Sequence, residues 1–207
     1  NLSKLTNFRV VDSANTVVAT ATTATDTAVT FVNISDASAP AIVKDAVATY
    51  SIGNCAYTLI PDINFEKKLI ALGIDIGSAD GKVLTESISS LTSLDVSLVS
   101  LNNSFGPIKD LTGIQDFTNL TSLNCRSNQL TTLDVSKNTA LTSLDCNSNR
   151  LTILDVSKNT ALASLDCSTN SNYSQLTTLD ISKNIALMTL NCRSNQLTTL
   201  DVSKNTA

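Results

Sequence analysis

The chain contains no histidine and no tryptophan, and only 4% of its 207 residues are aromatic. Without histidine, a serine or cysteine nucleophile would need a lysine or a carboxylate as its base, so we expect no enzyme and no cofactor. The net charge of −4, with no basic cluster, argues against nucleic acid or an anionic membrane as partner. No apolar run reaches the ~18 residues that span a bilayer, which argues against direct membrane insertion.

The chain does contain leucine at regular intervals. From Leu120 onward the sequence aligns on itself with a period of 21 residues, or 25 in the third copy, and each copy holds two similar halves. Within a half, apolar residues follow L-x-x-L-x-(C/V/I)-x-x-N, whose central step alternates inward and outward as a short strand does. One such coil cannot bury its own leucines. The pattern therefore predicts a solenoid in which neighbouring coils supply the other wall of the core.

Cysteine and asparagine recur at fixed slots of these coils. Four cysteines share one inward slot, and we expect a column of thiols packed as small apolar groups rather than a metal site or disulfides. A partner for Cys55, which stands apart, is expected beyond this sequence. Each asparagine is expected to turn the chain in the left-handed conformation and to bond neighbouring backbone. These structural ladders are Cys125, Cys146, Cys167 and Cys192, then Asn128, Asn149, Asn170 and Asn195, and in the second halves Asn138, Asn159, Asn184 and Asn205.

The stretch "LTSLDCNSNRL" (141–151) resembles the leucine-rich repeat, whose core signature is L-x-x-L-x-L-x-x-N-x-L. The nested 10/11 spacing with "LDVSKN" is similar to the bacterial repeats called IRREKO, and apolar residues three apart in 108–125 resemble the helical side of an internalin-type repeat. "LTSLDVS" (91–97) is similar to an earlier, irregular repeat. The resemblance implies a right-handed leucine-rich-repeat solenoid, α/β by convention but mostly short parallel strands. It also implies an extracellular or cell-surface bacterial protein that recognises a protein or glycan, as in adhesion.

The residues before the repeats differ from them in composition. Residues 60–73 predict a helix with Asp62 as N-cap and Gly73 just past its end, and this helix would cover the first coil as solenoids require. We expect three parts: a β-rich segment (1–58), which is either the tail of an immunoglobulin-like module plus linker or a set of strands leaning on the cap; a helical N-terminal cap (59–90); and the solenoid (91–207). No C-terminal cap is visible, so we expect the solenoid to be truncated at its C-terminus.

Two acidic features invite a cation-binding interpretation. The stretch "DIGSADGKVLTE" (75–86) has acids at positions 1 and 12 of a calcium loop, but Gly77 and Ala79 occupy ligand positions, so a polar turn is favoured. The second halves carry an outward column of aspartates with a lysine three residues on, which favours a lattice of salt bridges over a metal site. The column is Asp134, Asp155, Asp180 and Asp201, with Lys137, Lys158, Lys183 and Lys204.

The remaining candidate for function is the outward face of the first-half strands. It is polar and has no aromatic anchor, while Tyr173 lies in the four-residue insertion of the third copy. Insertions in repeats map to loops on one face, often the binding face. Alternatives are a rigid spacer for another domain, and an ice-binding surface built on ranks of Thr, Ser and Asn. The residues expected to contact a ligand are Arg126, Asp145, Asn147, Asp166, Asn172, Tyr173 and Arg193.

Overall fold

The computed structural model describes residues 56–98, 105–169 and 175–207 in full, together with the backbone of four strands before them. The chain divides into two compact units, residues 1–55 and 56–207.

The first unit contains an antiparallel sheet in which strands adjacent in sequence are adjacent in space. Valine and threonine are frequent in its strands, and β-branched residues favour extended backbone. The register shifts between Val10 and Val11 and between Ala21 and Thr23. The strands are β1 Arg9–Val11, β2 Val17–Ala24, β3 Ala28–Asn33 and β4 Val47–Ser51, in the order β1-β2-β3-β4. The predicted β-rich segment is present. Its relation to an immunoglobulin-like module stays a prediction, and Cys55 lies outside the described residues.

The second unit begins with a helical cap. Strand β5 (Tyr57–Leu59) pairs antiparallel with β6 (Lys82–Leu84). Helix α1 (Ile63–Ala71) lies between these strands in the sequence, and helix α2 (Thr85–Ser89) follows β6. Asp62 is the N-cap of α1 as predicted, because its Oδ1 accepts the amides of Asn64 and Phe65 at 2.8 and 3.1 Å. Its other oxygen, Oδ2, accepts the amides of Lys109 and Asp110 at 2.7 and 3.0 Å, so one carboxylate joins the cap helix to the first coil.

The cap covers the apolar end of the solenoid through two phenylalanines. Phe65 of α1 and Phe117 of the first coil are fully buried, and their ring centroids lie 6.3 Å apart in a stacked arrangement. Next to them, a single 3-10 turn, Ile114–Asp116, forms in the segment predicted to be helical. Gly73, predicted to follow the helix, adopts a φ of +71°.

The solenoid presents one three-residue strand per coil, and these strands form a five-stranded parallel sheet. The central leucine of each of the first four strands is buried, with exposed fractions of 2% or less, while Leu190 in the edge strand is partly buried. The strands are β7 Ser93–Asp95, β8 Ser122–Asn124, β9 Ser143–Asp145, β10 Ser164–Asp166 and β11 Thr189–Asn191, adjacent in sequence order. The fold is therefore a leucine-rich-repeat solenoid, as the repeat pattern predicted.

The two sets of asparagines bond the backbone in different ways. In the first halves, Asn149 Nδ2 donates to the carbonyls of Cys125 and Cys146 at 3.0 Å, and its Oδ1 accepts Leu130 N at 3.1 Å. In the second halves, Asn159 Nδ2 donates to two carbonyls of the preceding coil, Val135 O at 3.0 Å and Asn138 O at 2.8 Å. Asn170 lies outside the described residues. Each described asparagine therefore links a coil to its neighbour.

The expectation that asparagine itself turns the chain in the left-handed region is wrong. The positive φ values fall on the residue before the first-half asparagine: Ser127 (59°), Ser148 (56°), Thr169 (52°) and Ser194 (55°). The asparagine must keep a backbone that aims its side chain at the carbonyls. The small hydroxyl residue before it therefore takes the strained conformation.

The expected lattice of Asp–Lys salt bridges is also not formed. Among the described residues, the one ion pair within 4.0 Å joins Lys82 to Asp80 in the cap. Each second-half aspartate instead accepts the amide of the serine two residues later, as Asp155 Oδ1 does from Ser157 N at 2.8 Å. A local Asx turn costs no ordering of a long lysine side chain, so it prevails over an exposed ion pair.

Candidate binding face

The outward side chains of the parallel sheet form rows that run across the strands. We call these rows the sheet face. Parallel pairing puts equivalent residues of adjacent strands side by side, ~4.8 Å apart. Backbone hydrogen bonds from Ser127 to Asn147, Ser148 to Ser168 and Thr169 to Arg193 continue this register beyond the strands. The rows are Ser122, Ser143, Ser164 and Thr189; Asn124, Asp145, Asp166 and Asn191; and Arg126, Asn147, Ser168 and Arg193, of which Ser168 is buried.

In the middle row, side-chain amides donate hydrogen bonds to carboxylates at both ends and at the centre, where Asn147 Nδ2 donates to Asp145 Oδ1 at 2.8 Å. Asn124 Nδ2 donates to Asp95 Oδ2 at 3.2 Å, and Asn191 Nδ2 donates to Asp166 Oδ2 at 2.9 Å. Asp145 and Asp166, however, lie directly opposite each other on β9 and β10. Burial raises the pKa of Asp145, and the neighbouring Asp166 raises it further. The centre of the sheet face thus holds two adjacent carboxylates.

Arginines stand on both sides of these carboxylates. Arg126 follows β8 and Arg193 follows β11, and both side chains are exposed. Among the described residues, neither arginine forms an ion pair within 4.0 Å with an aspartate of the face. Across four consecutive coils the face therefore runs positive, negative, negative, positive, with its arginines exposed and its aspartates partly buried.

Other predicted residues lie elsewhere. Asn172 and Tyr173 are outside the described residues. In the 75–86 stretch, the backbone amides of Asp80, Gly81 and Lys82 all donate to Glu66, so protein groups organise this turn. In the described part of the chain, no group of three or more acidic or cysteine side chains is placed to hold a metal ion.

The cysteine column lies in the core, inside the sheet face. Cys125, Cys146 and Cys167 are buried and Cys192 is partly buried. Burial raises the pKa of the Cys125 and Cys146 thiols, and that of Cys167 to about 12. At neutral pH the thiols of Cys125, Cys146 and Cys167 are protonated, so they react slowly as nucleophiles.

A groove on the second half-coils was not anticipated from the sequence. It has a volume of about 400 Å³ and includes Asp110, Gln115, Asp134, Ile153 and Asp155 in its lining. One signal was available: the second copy reads "LTILD" where the others read "LTTLD", so Ile153 replaces a threonine. Gln115 lies in the irregular first coil, so the repeat pattern could not predict that it lines the groove.

Comparison with known proteins gives related sequences and folds. No protein-family model matches the chain. It is 45% identical over 79 residues to internalin J of Listeria monocytogenes, spanning 38% of this chain and 8% of that protein. A solved structure of the functional domain of internalin J, whose description includes a cysteine ladder, matches at 42% identity and a TM-score of 0.60, covering 73% of this chain and 32% of the other.

A more distant solved structure shares the fold. Internalin C2 of Listeria monocytogenes matches with a TM-score of 0.56 and 20% identity over 72% of this chain and 65% of its own. The chain spans only a small part of the length of internalin J, 8% of the whole protein and 32% of the solved domain. Among the described residues, no helix has the length and apolar character needed to cross a membrane.

Proposed function

We propose that this chain, a leucine-rich-repeat solenoid similar to internalin J, is a non-catalytic module that binds a partner protein through its sheet face. We further propose that it acts outside the cell or at the cell surface. The whole chain lacks histidine, which supports a role without catalysis.

The order of charges on the sheet face is the observation that carries this proposal. Arg126, Asp145, Asp166 and Arg193 follow one another on successive coils. A complementary partner would present two cations flanked by anions, a pattern that protein surfaces supply readily. A neutral glycan would leave these charges unmatched, and the described rows contain no aromatic ring for a sugar to stack on.

The proposal is tested by screening the 207-residue chain against purified extracellular proteins and a glycan array. Each protein hit is then measured by biolayer interferometry with two face variants, Asp145→Asn/Asp166→Asn and Arg126→Ala/Arg193→Ala. We expect each variant to weaken binding by about tenfold or more, because it removes one partner of a charge pair and leaves the opposite charge on the bound protein unpaired in the interface. Tyr173→Ala, in the insertion, measures whether the predicted loop contributes.

The control is Asp180→Asn/Asp201→Asn, which removes the same charge from residues outside the sheet face. It should leave affinity within about twofold, because exposed charges outside an interface contribute little. Equal losses in face and control variants would overturn the sheet face as the site. Hits confined to glycans would replace the protein partner with a sugar, and no hits at all would favour the spacer. Thermal hysteresis would favour the ice-binding alternative.

Within the carboxylate variant, the change at Asp145 is not expected to cost stability. The folded-state pKa of Asp145 is raised, so its ionised form is disfavoured by folding. The stability linked to this group is therefore present below its unfolded-state pKa of about 4 and is lost as the pH rises through the folded value. Asp145→Asn is expected to keep or increase the free energy of unfolding at pH 7.

A further inference from the structure

The groove on the second half-coils has the features of a separate docking site. Its volume of about 400 Å³ lies at the lower end of the range for ligand pockets, ~300–1,000 Å³. None of the residues that line it belongs to a strand of the parallel sheet. Among the described residues that line it, three are aspartates and none is a lysine or arginine.

Two of the carboxylates occupy the same slot in successive coils. Asp134 and Asp155 are one repeat apart, which places them ~5 Å from each other along the solenoid. Hydrogen bonds donated by Ser136 and Ser157 lower the pKa of Asp134 and Asp155, so both are ionised at neutral pH.

Part of each carboxylate remains available to a ligand. Asp155 Oδ1 accepts Ser157 N at 2.8 Å, and Asp110 Oδ1 accepts Thr112 N and Oγ1, both at 2.8 Å. The Oδ2 atoms of Asp110 and Asp155 accept no hydrogen bond from any described residue. Asp134 Oδ2 accepts only the long, 3.4 Å bond from Gln115 Nε2. Each of the three carboxylates therefore keeps one oxygen that has no donor, or only a long one, among the described residues.

Ile153 gives the groove an apolar side. Its side chain is 73% exposed, in a slot where the other repeats place a threonine. The fold does not need an apolar residue there, because Thr132 and Thr178 occupy the equivalent slots of the neighbouring coils and are exposed. An exposed isoleucine beside ionised carboxylates matches a ligand that has both an aliphatic and a cationic part.

We infer that this groove docks a basic segment of a partner protein, with one arginine or lysine side chain laid across Ile153 toward Asp134 and Asp155. The carboxylates provide acceptors for the cationic head, and an arginine can bond both of them through its fork of N–H groups. The aliphatic stem of the same side chain covers the isoleucine.

Other occupants fit the groove less well. Three carboxylates repel phosphate, sulfate and acidic sugars, and among the described lining residues there is no aromatic ring for a neutral sugar. The inference concerns a surface different from the sheet face, so either site can fail without the other.

The test uses the 207-residue chain and two fluorescein-labelled nonapeptides of Gly and Ser, one with a central Leu-Arg pair and one with Leu-Gln. Fluorescence polarisation at low salt should detect the arginine peptide only. Asp134→Asn/Asp155→Asn should weaken this binding by about fivefold or more, the effect of losing exposed ion pairs. Ile153→Thr, which restores the common repeat, should weaken it about threefold by removing an apolar contact.

The matched control is again Asp180→Asn/Asp201→Asn, which takes the same charge from the same slot of later coils. Retained binding in this control, with loss in the groove variants, supports the inference. Equal loss in control and groove variants would show nonspecific attraction to negative charge and overturn it, as would failure of the arginine peptide to bind. Each Asp→Asn change keeps an oxygen to accept the serine amide, and circular dichroism verifies that the fold is unchanged.

Discussion

Asparagine side chains join each described coil to the next through hydrogen bonds to the backbone. Asn149 uses both ends, donating to two carbonyls and accepting Leu130 N. Asn159, also buried, donates two bonds to the preceding coil. A carboxylate at the same slot would present an acceptor to carbonyl oxygens, which explains why the repeat uses asparagine and not aspartate here. The sequence identified these slots because the asparagines recur at fixed spacing.

The left-handed serines show what the sequence could not identify. Asparagine tolerates a positive φ better than serine does, so propensity alone points to the wrong residue. The asparagine side chain must instead reach carbonyls of two coils, and this tertiary requirement places the turn one residue earlier. Ser148, with a φ of 56°, therefore adopts a conformation that its own side chain disfavours.

Replacing Ser148 with glycine is expected to stabilise the solenoid. Glycine adopts a positive φ without the steric cost of ~1–2 kcal/mol that other residues meet, although it loses more entropy on folding. The expected net gain in the free energy of unfolding is about 0.5 kcal/mol, measured by urea denaturation of the 207-residue chain.

Ser143→Gly is the matched control, because Ser143 lies in strand β9 with ordinary extended backbone. Glycine there should destabilise the chain by about 0.5–1 kcal/mol. The opposite signs at two serines five positions apart isolate the backbone conformation as the cause. A loss of stability with Ser148→Gly would contradict this explanation.

At the level of elements, periodicity predicted the strands and capping rules predicted the helix. Strands β8 to β11 fall on the L-x-C step of the first halves, and α1 begins after Asp62. The corresponding L-x-(V/I) step of the second halves, as in residues 133–135, was also expected to be strand-like, but it forms no strand. The attachment of the cap was less accessible, because it depends on contacts between residues far apart in sequence. Asp62 accepts the amides of Lys109 and Asp110, and Thr58 donates to Asp116 Oδ2 at 2.6 Å.

At Gly113 the first coil approaches the cap closely. It has a φ of +102°, and a Cβ placed there would lie 2.5 Å from Ile60 Cδ1 and 2.6 Å from the Leu59 carbonyl oxygen. Gly113→Ala is expected to lower the free energy of unfolding by about 3 kcal/mol, combining backbone strain with overpacking. Urea denaturation measures the loss.

Gly77→Ala separates these two causes. Gly77 also has a positive φ, +91°, but a Cβ there has nothing within 4 Å. Gly77→Ala should therefore lower the free energy of unfolding only by the cost of the positive φ, ~1–2 kcal/mol. If Gly113→Ala were no more destabilising than Gly77→Ala, the close packing of the cap on the first coil would not contribute to stability.

As a whole, the second unit is a linear array in which each coil contacts its neighbours. The amide of Cys125 donates to Asp145 O and that of Cys146 to Asp166 O, so inner coils are bonded on both sides. In the last described coil, Leu200 and Val202 are 38% and 54% exposed. Stability in such an array is a sum over coils and their interfaces, so the last coil of this chain should open at lower free energy than the inner ones.

The cysteine column allows this gradient to be measured without substitutions. Cys146 is buried in an inner coil and Cys192 is partly buried in the last one. Burial raises the pKa of Cys146, so it reacts only when its coil opens, whereas Cys192 needs only a local opening. We expect iodoacetamide at pH 8 to label Cys192 at least about 100-fold faster, equivalent to roughly 2.7 kcal/mol of opening free energy.

Tryptic digestion places the two thiols on different peptides, because Lys137 and Arg150 flank Cys146 while Lys183 and Arg193 flank Cys192. Mass spectrometry of the wild-type chain therefore reports both rates in one sample, and labelling in urea gives the unfolded rates for normalisation. Equal native rates after normalisation would mean that the coils open together. The array would then behave as one cooperative body, and a ligand on the sheet face would stabilise its end coil as much as its centre.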